Sequence, residues 1–260
     1  MLWGNPYIIE ILTPRKVGDR PVREDMEMFA HQYGRALSLG CAVSIPDNPL
    51  GNLRYSAVDT FDYLGLQTDP EKTLINLNTF HSKKELDSLL EVAVQKGLRY
   101  FLVIRGDGSP DLPKLQPWDL DAEVKMITSI ELIRYINRRY EDVFCTGAAF
   151  NQYKPESVET GKLVKKKSAG ARFIITQPVM GEDPRITRLM DEDIPLILEA
   201  WMSPRIDLFL KSVKGPVERD LDGYDPVQNL KILHEAYPRS SVYLSMVHSH
   251  SDWSAILPRL

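Results

Sequence analysis

The 260-residue sequence predicts a single (β/α)8 TIM barrel with a short or incomplete last helix. Three observations predict this fold: eight short apolar segments resemble strands, helical patterns separate them, and polar residues follow the strand ends. An open, doubly wound sheet would show a similar alternation, but no Gly-x-Gly-x-x-Gly fingerprint follows any of these segments. No linker of biased composition divides the chain, so residues 1–260 are predicted to form one domain.

The predicted strands are short runs of apolar and β-branched residues bounded by turn-forming residues, as is typical of buried strands. The most informative run ends at Arg105-Gly106-Asp107, where glycine lets the backbone approach a ligand and aspartate adds a carboxylate. In chain order the predicted strands are Tyr7–Leu12, Cys41–Ile45, Thr73–Leu77, Tyr100–Ile104, Val143–Ala149, Arg172–Thr176, Ile194–Ala200 and Val242–Val247.

Apolar residues spaced three and four positions apart predict amphipathic helices between these strands. Gly40 ends the first helix, and Ser82-Lys83-Lys84-Glu85 has the form of a capping box at the start of the third. The last helix is predicted to be short because few residues follow the eighth strand. The predicted helices are Val22–Leu39, Val58–Leu66, the segment between Ser82 and Gly97, Asp121–Tyr140, Glu156–Ala169, Ile206–Val213, Pro226–Tyr237 and Asp252–Leu257.

Composition and charge are ordinary for a globular protein, with 43% hydrophobic residues, 26% charged residues and a net charge of -4. No global basic field therefore argues for a nucleic-acid partner. The longest apolar stretches, such as Ile194–Met202, are too short to cross a bilayer, and Met1–Leu12 lacks the basic start of a secretory signal. Cys41 and Cys145 fall in predicted strands, which favours buried thiols in a reducing compartment. We therefore expect a cytoplasmic protein without nucleic-acid or membrane partners.

Four motifs occur in the order and spacing of a known family. Ile9–Pro14 resembles the Glu-Phe-Phe-Pro-Pro motif of methylenetetrahydrofolate reductases, and Leu102–Asp107 resembles their Ala-Leu-Arg-Gly-Asp. Phe144–Glu156 resembles their Gly-x-Ala-x-Tyr-Pro-Glu-x-His-Pro-Glu, and Lys165–Gln177 resembles their Lys-x-x-Ala-Gly-Ala-x-Phe-x-Ile-Thr-Gln. Each motif alone is weak, but four in order make the resemblance to a short, divergent, single-domain member specific. The resemblance fades beyond Met180.

The resemblance implies a flavoprotein oxidoreductase of one-carbon metabolism. Members of this family reduce 5,10-methylenetetrahydrofolate to 5-methyltetrahydrofolate, and the hydride passes from a nicotinamide to FAD and from flavin N5 to the folate. Glu10 matches the family's general acid, and a carboxyl group on an apolar strand can have the raised pKa that this role needs. Asp107 matches an aspartate near the flavin and the pterin, which implies a catalytic and a substrate-binding role.

Gln177 suits pterin recognition, because an amide both donates and accepts hydrogen bonds. Structural alternatives stay open for all three site residues: a buried ion pair for Glu10, a loop cap for Asp107, and a hydrogen bond from a strand end to a loop for Gln177.

The residues that the resemblance assigns to FAD agree only in part with the residue types of the family. Asn76 and Lys154 stand where the family commonly has His, and Phe150 replaces a Tyr. Lys165 and Lys166 match a basic pair near the diphosphate. The implied FAD-binding residues are Ser44, Asn76, Arg105, Gly106, Asp107, Phe150, Lys154, Glu159, Lys165 and Lys166.

The remaining expectations concern metals, partners and an alternative function. His248-Ser249-His250 lacks a neighbouring Cys and a His-Glu-x-x-His pattern, so no metal site is predicted. The same segment stands where some members carry an Arg, which leaves the electron donor open between a nicotinamide and a redox partner protein. Many members form dimers or tetramers, so a homo-oligomer is also left open. The alternative function is a tetrahydrofolate-binding methyl-transfer or partner protein with the same barrel and no flavin redox role.

Overall fold

The structure is a computed structural model that describes residues 1–18, 21–213, 215–217, 221–247 and 253–257. Within these residues, eight parallel strands close into a barrel in chain order, because the first strand pairs with both the second and the eighth. The strands are β1 (Tyr7–Glu10), β2 (Ala42–Ile45), β3 (Thr73–Leu77), β4 (Tyr100–Val103), β5 (Cys145–Phe150), β6 (Phe173–Pro178), β7 (Leu196–Trp201) and β8 (Ser241–Ser245). The predicted (β/α)8 barrel is confirmed.

Helices follow the strands and cover the outside of the barrel. Several of them begin at a side-chain cap; for example, Ser82 and Glu85 form a reciprocal capping box at the start of the third helix. The helices are α1 (Val22–Ser38), α2 (Ala57–Leu64), α3 (Lys83–Gln95), α4 (Ser129–Arg139), α5 (Glu156–Ser168), α6 (Pro184–Leu189), α7 (Ile206–Val213), α8 (Pro226–Ala236) and α9 (Trp253–Ile256).

The pleat of the strands divides the apolar residues into two layers. Side chains such as Ile8, Leu74 and Phe173 fill the inside of the barrel, while the alternate positions pack against the helices. A Cβ atom on Gly147 would lie 2.2 Å from the Phe173 ring, so glycine makes room for this ring inside the barrel. The packed interior leaves the carboxyl ends of the strands as the place for a site.

The predicted helices differ from the structure in two places. The helix predicted from Asp121 begins instead at Ser129, because Thr128 and Glu131 form a capping box there and Asp121 adopts a positive φ of 49°. Helix α6 was not predicted, although Asp183 caps it and Pro184 occupies its first turn, which is a common helix start.

Residues 253–257 are held against the barrel. The Trp253 side chain is buried, its Nε1 donates a hydrogen bond to the Val247 carbonyl oxygen at 3.1 Å, and the Arg35 guanidinium lies 4.8 Å from the ring centroid. The predicted last helix is therefore present as the short α9, while its predicted start at Asp252 and the segment His248-Ser249-His250 lie outside the described residues. Among the helices that the structure describes, none has the length and apolar character to cross a membrane.

Candidate active site

A narrow pocket of about 180 Å³ opens at the carboxyl ends of the strands. It lies where parallel barrels place their chemistry, since each strand directs its last inward-facing side chain to the same rim. The pocket is lined by five residues that the sequence singled out, Glu10, Asn76, Gly106, Asp107 and Gln177, and by three that it did not, Asp47, Glu199 and Tyr243.

Glu10, at the end of β1, has its carboxyl group inside the barrel. The Tyr243 hydroxyl on β8 donates a hydrogen bond to Glu10 Oε2 at 2.8 Å. Burial raises the pKa of Glu10, and this effect outweighs the lowering by the Tyr243 hydrogen bond and the Arg54 charge. A carboxyl group in this environment keeps its proton to a higher pH than an exposed glutamate does, which is what a general acid needs.

Glu199 on β7 is a second carboxyl group in the same pocket. A register shift between β6 and β7 lets Thr176 Oγ1 accept a hydrogen bond from the Glu199 backbone N–H at 3.0 Å. Burial, and next the negative charge of Glu10, raise the pKa of Glu199 to about 8, against the opposing hydrogen bond of Ser245. One feature of the sequence could have identified Glu199 as a candidate site residue. It is the one charged residue in the apolar strand Leu196–Trp201.

Gly106 and Asp107 bring the loop after β4 against the loops after β2 and β3. Gly106 has a φ of 81°, and a Cβ atom there would lie 2.6 Å from Asn78 Cβ, so glycine is required on both counts. Asp107 Oδ2 accepts a hydrogen bond from the Leu50 backbone N–H at 3.2 Å. Asp107 therefore lines the pocket and also ties two loops together across its mouth.

Asp47, which lines the pocket, forms an ion pair with His81. His81 Nε2 lies 2.7 Å from Asp47 Oδ2, and the two side chains are only 10% and 9% exposed. Asp47 Oδ2 also accepts a hydrogen bond from the Asn78 backbone N–H at 3.1 Å. Burial alone would lower the pKa of His81, but the hydrogen bond and the charge of Asp47 raise it overall.

Comparison with known proteins identifies the family. Residues 56–191, just over half of the chain, match the family model for methylenetetrahydrofolate reductase. The chain belongs to the methylenetetrahydrofolate reductase family. It is 36% identical to methylenetetrahydrofolate reductase 1 of Schizosaccharomyces pombe over 168 residues, and 36% identical to methylenetetrahydrofolate reductase 2 of that yeast over 107 residues. These alignments cover 57% and 36% of this chain but only 26% and 16% of the yeast proteins.

Solved structures show the same fold at low sequence identity. A Clostridium thermocellum protein that binds two copies of 5-methyl-5,6,7,8-tetrahydrofolic acid is 11% identical, with a TM-score of 0.58 over 92% of this chain and 87% of that one. A 2,3-dimethylmalate lyase is 10% identical, with a TM-score of 0.51 over 92% of this chain and 74% of that one. These likenesses concern the barrel alone.

The residues that the sequence resemblance predicts for FAD binding fall into two groups. The first group lies at the pocket or its mouth: Ser44 Oγ donates to Asn76 Oδ1 at 3.1 Å just below the rim, and Gly106 and Asp107 line the opening. Arg105 belongs here too, because its side chain is exposed beside them while its carbonyl oxygen accepts hydrogen bonds from Thr79.

The second group lies away from the pocket. The Phe150 side chain is buried in the layer between barrel and helices, and its neighbour Ala149 lines the pocket instead. Lys166 Nζ donates to the Ala149 carbonyl oxygen at 2.6 Å and lies 3.7 Å from Glu159 Oε1, so both charges are buried and paired. Lys165 is exposed on α5, and Lys154 lines a separate cavity of about 670 Å³ beside the loops after β5 and β6.

Metal ligation has no support in the described part of the chain, where no group of three or more His, Cys, Asp or Glu side chains could hold an ion. The cysteines are not paired with each other: Cys41 is buried just before β2, Cys145 is partly buried in β5, and both thiols are free. Burial raises the pKa of the Cys41 thiol to about 11, so this thiol is not a reactive nucleophile at neutral pH.

Proposed function

We propose that this chain binds a reduced folate in the rim pocket and reduces 5,10-methylenetetrahydrofolate to 5-methyltetrahydrofolate, with Glu10 as the general acid. The observation that carries the proposal is the Glu10 carboxyl group, half-buried at the end of β1, hydrogen-bonded by Tyr243, and part of a motif that matches the family. The yeast relatives, which are named methylenetetrahydrofolate reductases, support the same reaction.

The proton step follows from the chemistry of the substrate. The five-membered ring that holds the methylene group must open before a hydride can be added to that carbon, and the departing nitrogen needs a proton. Glu10 supplies this proton and becomes a carboxylate, which the Tyr243 hydroxyl stabilises as a hydrogen-bond donor at 2.8 Å. The hydride and the proton together convert the methylene group into a methyl group, so the step is balanced.

Asp107 and Gln177 are proposed to hold the pterin. Both line the pocket with Glu10, so a ligand that fills it contacts all three side chains. The Gln177 amide can donate to a ring acceptor and accept from a ring N–H, while the Asp107 carboxylate accepts from N–H groups. These contacts orient the reacting carbon without taking part in the proton step.

FAD is the hydride carrier that the family supports, but the described residues do not fit the whole cofactor. Four carboxylate residues line the rim pocket, which disfavours the negatively charged diphosphate of FAD there. Of the expected diphosphate contacts, Lys166 is buried and paired with Glu159, and Lys165 points outward. The proposed proton step therefore does not require a flavin. The electron donor is proposed to be a nicotinamide, which supplies the hydride, or a redox partner protein, which supplies two electrons and requires one further proton.

The same observation favours a second candidate. A tetrahydrofolate-binding methyl-transfer or partner protein would keep Glu10, Asp107 and Gln177 at the pocket and would need no flavin site. Turnover separates the two candidates, because only the reductase forms 5-methyltetrahydrofolate from 5,10-methylenetetrahydrofolate with NADH, NADPH or a reduced low-potential donor.

We expect FAD to bind this protein weakly, with no stoichiometric flavin remaining after purification and desalting. The physical reason is that freeing Lys166 for the diphosphate would leave the Glu159 carboxylate buried with less compensation. Absorbance near 450 nm and titration of the protein with FAD at low salt measure this directly.

Lys165→Ala serves as the control variant, because this exposed side chain should leave the titration unchanged. Stoichiometric, tightly bound FAD in the wild-type protein would show that the loops rearrange to admit the cofactor and would contradict this prediction.

A further inference from the structure

The pocket holds a second acidic side chain that the proton step does not use. Glu199 and Tyr243 are partners in the register of β7 and β8, whose backbones lie about 4.8 Å apart. Tyr243 in turn donates its hydroxyl hydrogen bond to Glu10 across the β8–β1 seam. Two carboxyl groups therefore flank one phenol on neighbouring strands, and all three side chains line the same pocket.

The positive charges of the described residues around Glu10, Tyr243 and Glu199 do not neutralise two carboxylates. Among the described residues, no Lys, Arg or His forms an ion pair with Glu10 or Glu199 within 4 Å. The Arg54 guanidinium influences Glu10 from a distance, but its Nη1 donates to the Thr13 carbonyl oxygen.

The other charged groups that face the pocket are also acidic. Asp107 adds a carboxylate from the loop after β4, and Asp47, from the loop after β2, is paired with His81. Two carboxylates in one half-buried pocket with no paired cation among the described residues cannot both ionise readily.

We propose that Glu10 and Glu199 form a coupled acid pair that holds one proton at neutral pH, with Tyr243 as the hydrogen-bonded bridge to Glu10. At neutral pH the pair then carries one proton and one negative charge, and Glu199 is a positioning residue that acts through Glu10. The proposal of a shared proton depends on the geometry of the pocket. Only its role in catalysis depends on the proposed function.

The pair predicts a definite titration. Burial and the charge of Glu10 raise the pKa of Glu199 to about 8, so the wild-type protein should lose the last proton of the pair near that pH. Glu199→Gln removes this late step and leaves Glu10 to titrate alone. Glu10→Gln removes the charge that acts on Glu199, so the remaining step should move to lower pH.

Infrared spectroscopy of the full chain without ligand tests the pair, because a protonated carboxyl group has a carbonyl band that a carboxylate lacks. We expect this band to persist to about pH 8 in the wild-type protein and to be lost at lower pH in both variants. Glu235→Gln, an exposed substitution of the same kind on α8, should leave the titration unchanged.

An unchanged late step in Glu199→Gln would overturn the pair, and so would an unchanged midpoint in Glu10→Gln. The reciprocal variants keep the test decisive if one of them folds poorly, as near-ultraviolet circular dichroism would reveal. A protein that shows the coupled titration but forms no 5-methyltetrahydrofolate would refute the proposed reductase function and leave the acid pair standing.

Discussion

Replacement of Glu10 by glutamine is expected to slow formation of 5-methyltetrahydrofolate by roughly 10²- to 10⁴-fold, the range typical for loss of a general acid. Glutamine keeps the shape of the side chain and can still accept the Tyr243 hydrogen bond, but it has no proton to give. The folate should therefore bind with nearly unchanged affinity while the chemical step slows. Single-turnover measurements at saturating 5,10-methylenetetrahydrofolate, with binding measured separately, distinguish these effects.

The matched control is Glu91→Gln on α3, where the side chain is exposed and remote from the pocket. This variant should react at the wild-type rate. A Glu10→Gln protein that turns over normally would exclude Glu10 as the acid, and one that loses folate binding and rate in equal measure would assign Glu10 a binding role.

Asp47→Asn is expected to destabilise the fold by about 3 kcal/mol at pH 6, since it breaks a buried charged pair. The pKa of His81 is raised in the folded protein, so the pair's contribution is fully present below the unfolded value of about 6.5 and is lost as the pH rises through the folded value. The destabilisation by Asp47→Asn should therefore shrink at pH 9. Denaturant unfolding at the two pH values measures the difference.

Asp193→Asn is the control, because this exposed aspartate lies in the turn before β7. Its small effect on the free energy of unfolding should be the same at both pH values. If Asp47→Asn lowered the free energy of unfolding by the same amount at pH 6 and pH 9, the charge of His81 would not contribute to the pair.

Local pattern was sufficient to predict the barrel, because buried parallel strands are continuous apolar runs whose ends carry turn residues. The predicted helix boundaries were wrong where a local interaction set the true boundary. The Thr128–Glu131 capping box starts α4 well after Asp121, and the apolar spacing between those residues carried no information about that start. Helix α6 was missed because it has only six residues.

The site was predicted in part, and the errors have specific causes. Glu10, Asp107 and Gln177 were found because each stands at a strand end inside a family motif. Glu199 was missed because it lies one residue before the predicted strand end, in the region where the resemblance fades, and Tyr243 because it sits in mid-strand.

Phe150 was predicted to bind FAD because it stands where the family has a Tyr, but the pleat turns its side chain into the layer between strands and helices. The direction of a last strand residue depends on where pairing stops, and the sequence alone does not determine that point.

The central claim, that the rim pocket binds a reduced folate, is tested most directly by calorimetric titration of the protein with 5-methyltetrahydrofolate. Gln177→Ala, which removes an amide from the pocket, should weaken binding by about tenfold, equivalent to about 1.4 kcal/mol. The control Gln67→Ala lies in the exposed turn before β3, at the opposite end of the barrel, and should bind like the wild type. Saturable binding that is weakened only by Gln177→Ala is the predicted result. Absence of binding to the wild-type protein, or equal affinities in all three proteins, would contradict the claim.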